Sequence, residues 1–381
     1  MQDNSKLQTF GIALLVSSNS LAAVLSFGGA YYAVMLLCII IVAFSHKITF
    51  QKGLISIVLL VSYCMISGLL SNSTNTPVAY HYGLFCLVFG MVLYTGVINI
   101  NISQFFKHMV LIGLLCSPIL LLKARVLASL IFTAESNAGN MMGMTYAIVP
   151  SVLAALSLLF LKNGVFWKVL SSLLIIVSSI ILFIIGSRGA FVVFLVYFLI
   201  FCCTIVIKKT YKKVLFLLGF SIAATVVVIN FDDYLLGIDN ALDNKGVSVY
   251  AISKAVDRMG AESFSSGRTD IWIMAWDGFI DNPFVHPVGS FEDKHEVHEH
   301  NFMLQLMWEF GILGLIMALS ITWRSIVCLF VNGNGKELQL FLTTIFCSSL
   351  IILLYSGTFW MLPCFWIWLR VLGKKIHYTY E

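Results

Sequence analysis

Long apolar runs, each about the length of a bilayer crossing, repeat along this chain and are separated by short polar breaks. A helix needs about 20 mainly apolar residues to cross the hydrocarbon core. Runs of that kind occupy 10–27, 29–45, 54–72, 81–100, 105–122, 141–161, 165–186, 189–207, 214–230, 301–323, 338–355 and 357–373, which predicts about twelve transmembrane helices. The apolar stretch from 165 to 207 is too long for one crossing. Its only polar, flexible break is Gly186-Ser187-Arg188-Gly189, so the chain turns there and leaves Arg188 at a membrane face. The pattern predicts an all-α, polytopic integral membrane protein in three parts. A membrane domain of about nine spans covers 1–230, a polar loop covers 231–300, and a second membrane domain of about three spans covers 301–381.

Composition agrees. Hydrophobic residues make up 60% of the chain and charged residues 11%, against about 25% charged in a soluble domain. The nine cysteines all fall inside apolar runs and read as small core residues, neither a disulfide framework nor a thiolate metal site. The first run, from Phe10 to about Phe27, has a weakly polar N-terminus and no small-residue cleavage signal, so it reads as a retained span.

Charge sets the orientation. Short inner loops of membrane proteins accumulate Lys and Arg. An inner N-terminus puts Lys47, Lys52, Lys107, Lys162, Lys208, Lys209, Arg324, Lys336 and Arg370 on the cytoplasmic side, while the outer 73–80 and 356 connections carry no basic residue. Lys123 and Arg125 are exceptions, in an outer 123–140 connection long enough for a short interfacial helix. Both termini then lie inside, and Arg188 and the acidic 231–300 loop face outward. With inner loops basic and the outer loop acidic, the net charge of +5 reflects topology and gives no reason to expect nucleic acid as a partner.

Three places could carry chemistry. Arg188, between two glycines and on the side that the positive-inside bias disfavours, is either a functional cation or an arginine snorkelling to headgroups. Arg268 falls in the first turn of a helix capped by Ser265 or Ser266, on the side where Trp272, Trp276 and Phe279 recur. A guanidinium at a helix N-terminus suits a phosphate, although a neighbouring acid such as Asp270 could also take it. The tryptophans read as packing, as an interfacial belt or as a sugar platform. His300-Asn301 opens the helix at 301–323, where the dipole favours a neutral imidazole able to accept a proton; a simple capping role is the alternative. His295, His298, His300, Glu296 and Glu299 could ligate zinc, but their spacing matches no usual zinc pattern. Glu309 lies two turns into the apolar helix, on the far side from His300, and needs a partner on another helix. Gly311 and Gly314 form a small-residue seam along which such a helix could approach.

Arg188 within SRGAFVVFLV, the run GRTDIWIMAWDGFIDNPF, and His300-Asn301 followed by Gly311-Ile-Leu-Gly314 together resemble the O-antigen polymerase and ligase superfamily over about residues 180–320. The resemblance implies an inner-membrane enzyme of the membrane-embedded glycosyltransferase C type, inverting, metal-independent and without a cofactor. It implies an undecaprenyl-diphosphate-linked oligosaccharide donor at the periplasmic face, in contact with membrane lipid, and a chain-length regulator as partner. Arg188 and Arg268 would bind the diphosphate, His300 would be the base, and Asn301, Trp272 and Trp276 would contact substrate. The expected reaction is polymerisation of a surface polysaccharide. The first alternative is ligation of finished chains to lipid A-core. A flippase or secondary transporter is the second, and it predicts several midplane ions where these spans, apart from Glu309, carry almost none.

Overall fold

The computed structural model describes residues 2–25, 52–71, 78–94, 98–131, 138–185, 188–207, 268–331, 335–373 and 376–379, with short pieces within 33–41 and 211–241. The expected spans at 29–45 and 214–230, and the expected cap Ser265 or Ser266, lie outside these residues or are met only in fragments.

In chain order the helices are α1 (Gln2–Val16), α2 (Ser18–Leu25), α3 (Lys52–Leu70), α4 (Val78–Tyr94), α5 (Ile102–Ile131), α6 (Ala138–Phe160), α7 (Val165–Ile185) and α8 (Arg188–Phe201). After the loop region come α9 (Arg268–Asp281), α10 (Ser290–His295), α11 (Phe302–Ile326), α12 (Lys336–Phe346) and α13 (Pro363–Leu372). Wide turns at Cys202–Val206, Val327–Val331 and Cys347–Ile351 continue α8, α11 and α12. The chain is mostly helical. Among the described residues five helices are long and apolar enough to cross a membrane, or six if α1 and α2, bent by 58° about Ser17, form one broken span.

The helix boundary near Arg188 falls where the polar break predicts it, α7 ending at Ile185 and α8 starting at Arg188. Four expectations are corrected. The run at 81–100 is not one helix: α4 ends at Tyr94, and Ile98–Asn101 forms a strand, β1, paired in parallel with β2 (Ile376–Thr379) in register Ile98 to Ile376. Its Ile-Asn-Ile-Asn alternation has the strand period of two, with both isoleucines buried. The free edge is satisfied from α1, where Gln8 Oε1 accepts the Asn99 N–H at 2.9 Å and Thr9 Oγ1 accepts the Asn101 N–H at 3.0 Å. A small parallel ribbon therefore joins residues 98–101 to residues 376–379, and the other regular elements among the described residues are helical.

Second, α5 runs unbroken through Lys123 and Arg125 to Ile131, so these two residues extend the helix and do not begin a connection. Lys123 Nζ donates to the Ala23 and Val24 carbonyls at 2.5 and 2.9 Å, the last turn of α2, where a cation meets both the orphan carbonyls and the negative dipole end. Third, the run at 357–373 is interrupted. A buried turn at Phe359–Met361, with the Thr358 hydroxyl accepting the Trp360 N–H, precedes α13, whose ten residues rise only about 15 Å. Pro363 at its first helical position fixes this start.

Fourth, α11 is broken at Gly311, which sits at φ 59°, ψ −138°. Eight residues of straight helix rise about 12 Å, yet a side chain on Gly314 would collide with the Leu306 carbonyl, eight residues back. The two halves turn sharply against each other. The Pro283-Phe284 segment crosses at the break, and the Ile312 N–H, freed from the helix ladder, donates to the Pro283 carbonyl at 3.0 Å. Gly311 and Gly314 thus serve this fold-back and not a seam with another helix.

Candidate functional site

Residues 282–300 are laid over the break in α11 and fastened on every side. The Tyr63 hydroxyl of α3 lies 2.7 Å from the His286 carbonyl and 2.8 Å from the Glu309 carbonyl, sharing its proton between them. Trp308 is the hub. Its indole N–H donates to Ser290 Oγ at 3.0 Å, its face stacks on His286 at 4.4 Å, Phe291 meets it edge-on at 5.1 Å, and the bare backbone of Gly278 in α9 lies against its ring. Gly289, at φ 76°, lies so close to Val78 and Ala79 that α10 docks directly on the start of α4. Two non-glycine residues, Glu296 and His300, are held at positive φ of 58° and 51°. Such backbone costs of order 1–3 kcal/mol and persists only where the surroundings over-determine it.

This packing gathers three buried carboxyl groups. Glu309 is completely buried and takes the Trp360 indole N–H at 3.1 and 2.9 Å on its two oxygens, with Gln305 Nε2 donating at 3.2 Å. The partner it needs on another element is therefore a tryptophan. Glu292 Oε1 accepts the Tyr82 hydroxyl at 2.7 Å and bonds His298 Nδ1 at 2.8 Å. Glu299 is 1% exposed, and neither of its oxygens meets a partner side chain among the described residues. Burial, then the Glu292 and Glu309 charges, hold its pKa well above the usual carboxylate range.

Beside this cluster opens a cavity of about 640 Å³ between α2, α5, α6 and the 352–362 segment. His298, Lys123, Tyr146, Ser356 and Thr358 supply polar groups to walls otherwise made by residues such as Met144, Ile352 and Leu362. The Tyr146 hydroxyl lies directly against the Gly189 backbone, so the first turn of α8, which begins at Arg188, stands behind the same wall.

The residues singled out from sequence fall as follows. Arg268 opens α9 and its positive charge acts on His300, whose pKa is pushed down to about 4 by burial first and by Arg268 second. His300 is thus neutral near pH 7, but through burial and a neighbouring cation more than through a helix end. Asn301, and not His300, caps α11, its Oδ1 accepting the Met303 and Leu304 N–H groups at 3.0 and 3.4 Å. Trp272 is half-buried, its indole nitrogen enclosed without a hydrogen-bond partner among the described residues, while Trp276 is exposed. The three histidines do not converge. His295 packs on Phe291 at 4.6 Å, and the His298 and His300 rings stand 6.1 Å apart and nearly perpendicular. Sequence reasoning missed His298, Glu292 and Tyr82 as a unit. The alternation of acids and histidines from 292 to 300 was a signal for His298 and Glu292, but nothing local could point to Tyr82, some 210 residues earlier.

Comparison with known proteins gives one family match, a model described as O-antigen ligase over residues 173–319, which spans Arg188, Arg268 and the broken helix. No curated protein and no solved structure matches the chain. The matched stretch covers the three motifs in order but less than half of the chain, and over residues 173–319 the protein is similar to the O-antigen ligase family.

Proposed function

We propose that this protein is a surface-polysaccharide polymerase, transferring a growing glycan from undecaprenyl diphosphate onto the terminal sugar of an incoming lipid-linked repeat unit. The reaction takes place at the periplasmic face of the inner membrane, with inversion at the anomeric carbon and without a metal. The observation that carries the reading is contiguity. The start of α8 with Gly189 against Tyr146, the cavity that Tyr146 and His298 share, and His300 beside Arg268 form one connected region from three distant motifs.

In this reading Arg188 and Arg268 neutralise the diphosphate as it leaves. Cations set in advance where charge develops are worth several kcal/mol each in a dry site. Trp276, exposed on α9, and Trp272 offer ring faces to the glycan, and Asn301 holds the start of α11 so that the 298–300 segment meets the substrate in a fixed pose. That segment supplies the base for the attacking hydroxyl, a contribution of about 10²–10⁴ in rate. His300 is the residue the motif nominates.

Ligation to lipid A-core is the second reading, favoured by the description of the matching family. Both reactions use one donor site, so the acceptor decides. Purified protein in lipid, given lipid-linked repeat units alone, is expected to yield a ladder of longer lipid-linked glycans. Transfer only after lipid A-core is added would establish the ligase, and no glycan product with either acceptor would sink both.

A further inference from the structure

We propose that His298, and not His300, is the base of this transfer, and that the cavity it faces receives the acceptor sugar. The inference rests on the glycosyltransferase reading above and deepens it. His298 Nδ1 lies 2.8 Å from Glu292 Oε1, and the Tyr82 hydroxyl donates to the same oxygen at 2.7 Å. A carboxylate so placed fixes the proton on Nδ1 and leaves the lone pair on Nε2. Glu292 is buried and His298 partly exposed, so the imidazolium formed by proton uptake has its counter-charge at hydrogen-bond distance while the ring still reaches the cavity. His298 also lines the 640 Å³ cavity, whose volume and mixed walls suit a sugar unit or two, hydroxyls to Tyr146, Ser356 and Thr358 and ring faces to Met144 and Leu362.

His300 has neither advantage. It does not line the cavity, its Nδ1 is enclosed without a partner among the described residues, and Arg268 opposes any proton that arrives there. Its neutral imidazole beside a guanidinium fits the donor side instead.

The step balances simply. The acceptor hydroxyl oxygen bonds to the donor's anomeric carbon as the bond from that carbon to the diphosphate oxygen breaks. The electron pair leaves with undecaprenyl diphosphate, and the hydroxyl proton passes to His298 Nε2 and from there to solvent. Glu292 and Tyr82 act through His298 and are positioning residues.

The test uses the full chain in lipid with repeat-unit and lipid A-core acceptors supplied separately, following kcat, acceptor KM, donor binding and the pH profile. His298→Gln is expected to lower kcat by about 10²–10⁴ while donor binding holds. Around His298 stand Glu292 from α10, Tyr82 from α4, Lys123 from α5, Tyr146 from α6, and Glu299 and His300 of its own segment. Of these only Glu292 is a carboxylate bonded to the ring, so Glu292→Gln should move the acidic limb of kcat to lower pH, whereas His300→Gln leaves that limb in place.

Gly143 lines the cavity with open space where a side chain would stand. Gly143→Phe should therefore fold, and should raise acceptor KM about tenfold, equal to about 1.4 kcal/mol, without changing donor binding. Wild-type kcat in His298→Gln, an unmoved acidic limb in Glu292→Gln, or an unchanged acceptor KM in Gly143→Phe overturns the inference while the glycosyltransferase reading stands. Should His298→Gln fail to fold, the other two variants decide. An unmodified protein inactive with both acceptors overturns that reading and the inference together.

Discussion

Glu299 lies one residue from the motif histidine, almost fully buried, with no partner side chain among the described residues. Burial and the neighbouring Glu292 charge raise its pKa above the ordinary 4.5, so the folded protein keeps a proton that the unfolded chain releases. Between 4.5 and the folded value, unfolding therefore frees a proton, and stability falls as pH rises, by at most about 1.4 kcal/mol per unit. Glu299→Gln should remove that fall. Apparent Tm read at pH 5 and pH 8 checks it, and an equal drop in the variant and the parent would remove Glu299 from the linkage. His300 works in the opposite sense: its depressed pKa makes stability rise with pH from about 4 to 6.5, so the two titrations meet in the acid range. Arg188 is tested by Arg188→Lys. Keeping the charge but losing the fork should cost about 1.5–3 kcal/mol of transition-state binding, tenfold or more in kcat/KM. Full chain growth in that variant would take Arg188 out of the diphosphate site.

At the scale of an element, α11 carries most of the difference between sequence and structure. Its apolar run reads as one helix because nothing polar interrupts it, and the break is a single glycine. What makes Gly311 turn is the Pro283-Phe284 segment, brought there by packing on Trp308 and Tyr63, a constraint no local window contains. Gly311→Ala combines positive φ with a clash against the Pro283 carbonyl. It should cost at least about 1–3 kcal/mol and lower activity by shifting residues 298–309, as thermal unfolding and turnover would reveal. A variant as stable and active as the parent would mean that the fold-back is dispensable.

The break near Arg188 was legible because Gly-Ser-Arg-Gly interrupts the apolar pattern there. The β1 and β2 strands escaped because a four-residue alternation beside a span is absorbed by any window long enough to find the span. The short α13 escaped for the converse reason, since Trp360 and its apolar neighbours lengthen the apolar run while being buried in a turn that precedes the helix.

For the whole molecule, sequence carries the helical class, the membrane setting and the order of the three motifs, because each is a property of composition or of short runs. The acid cluster and the cavity are products of helices from all parts of the chain, so their membership is set only by packing. Orientation is a whole-molecule property that labelling can decide. All nine cysteines are free, with eight buried and Cys328 half-buried, so background reaction with a thiol reagent should be small. Glu296 and Lys336 are exposed on either side of α11 and its continuation. If the 231–300 loop is periplasmic, Glu296→Cys should react with a membrane-impermeant maleimide in intact spheroplasts, and Lys336→Cys only after they are lysed. The reverse pattern would put the region around His298 on the cytoplasmic side, away from a periplasmic donor. Reaction of both from one side would mean that the halves of α11 enter and leave by the same face, making the fold-back at Gly311 a re-entrant hairpin.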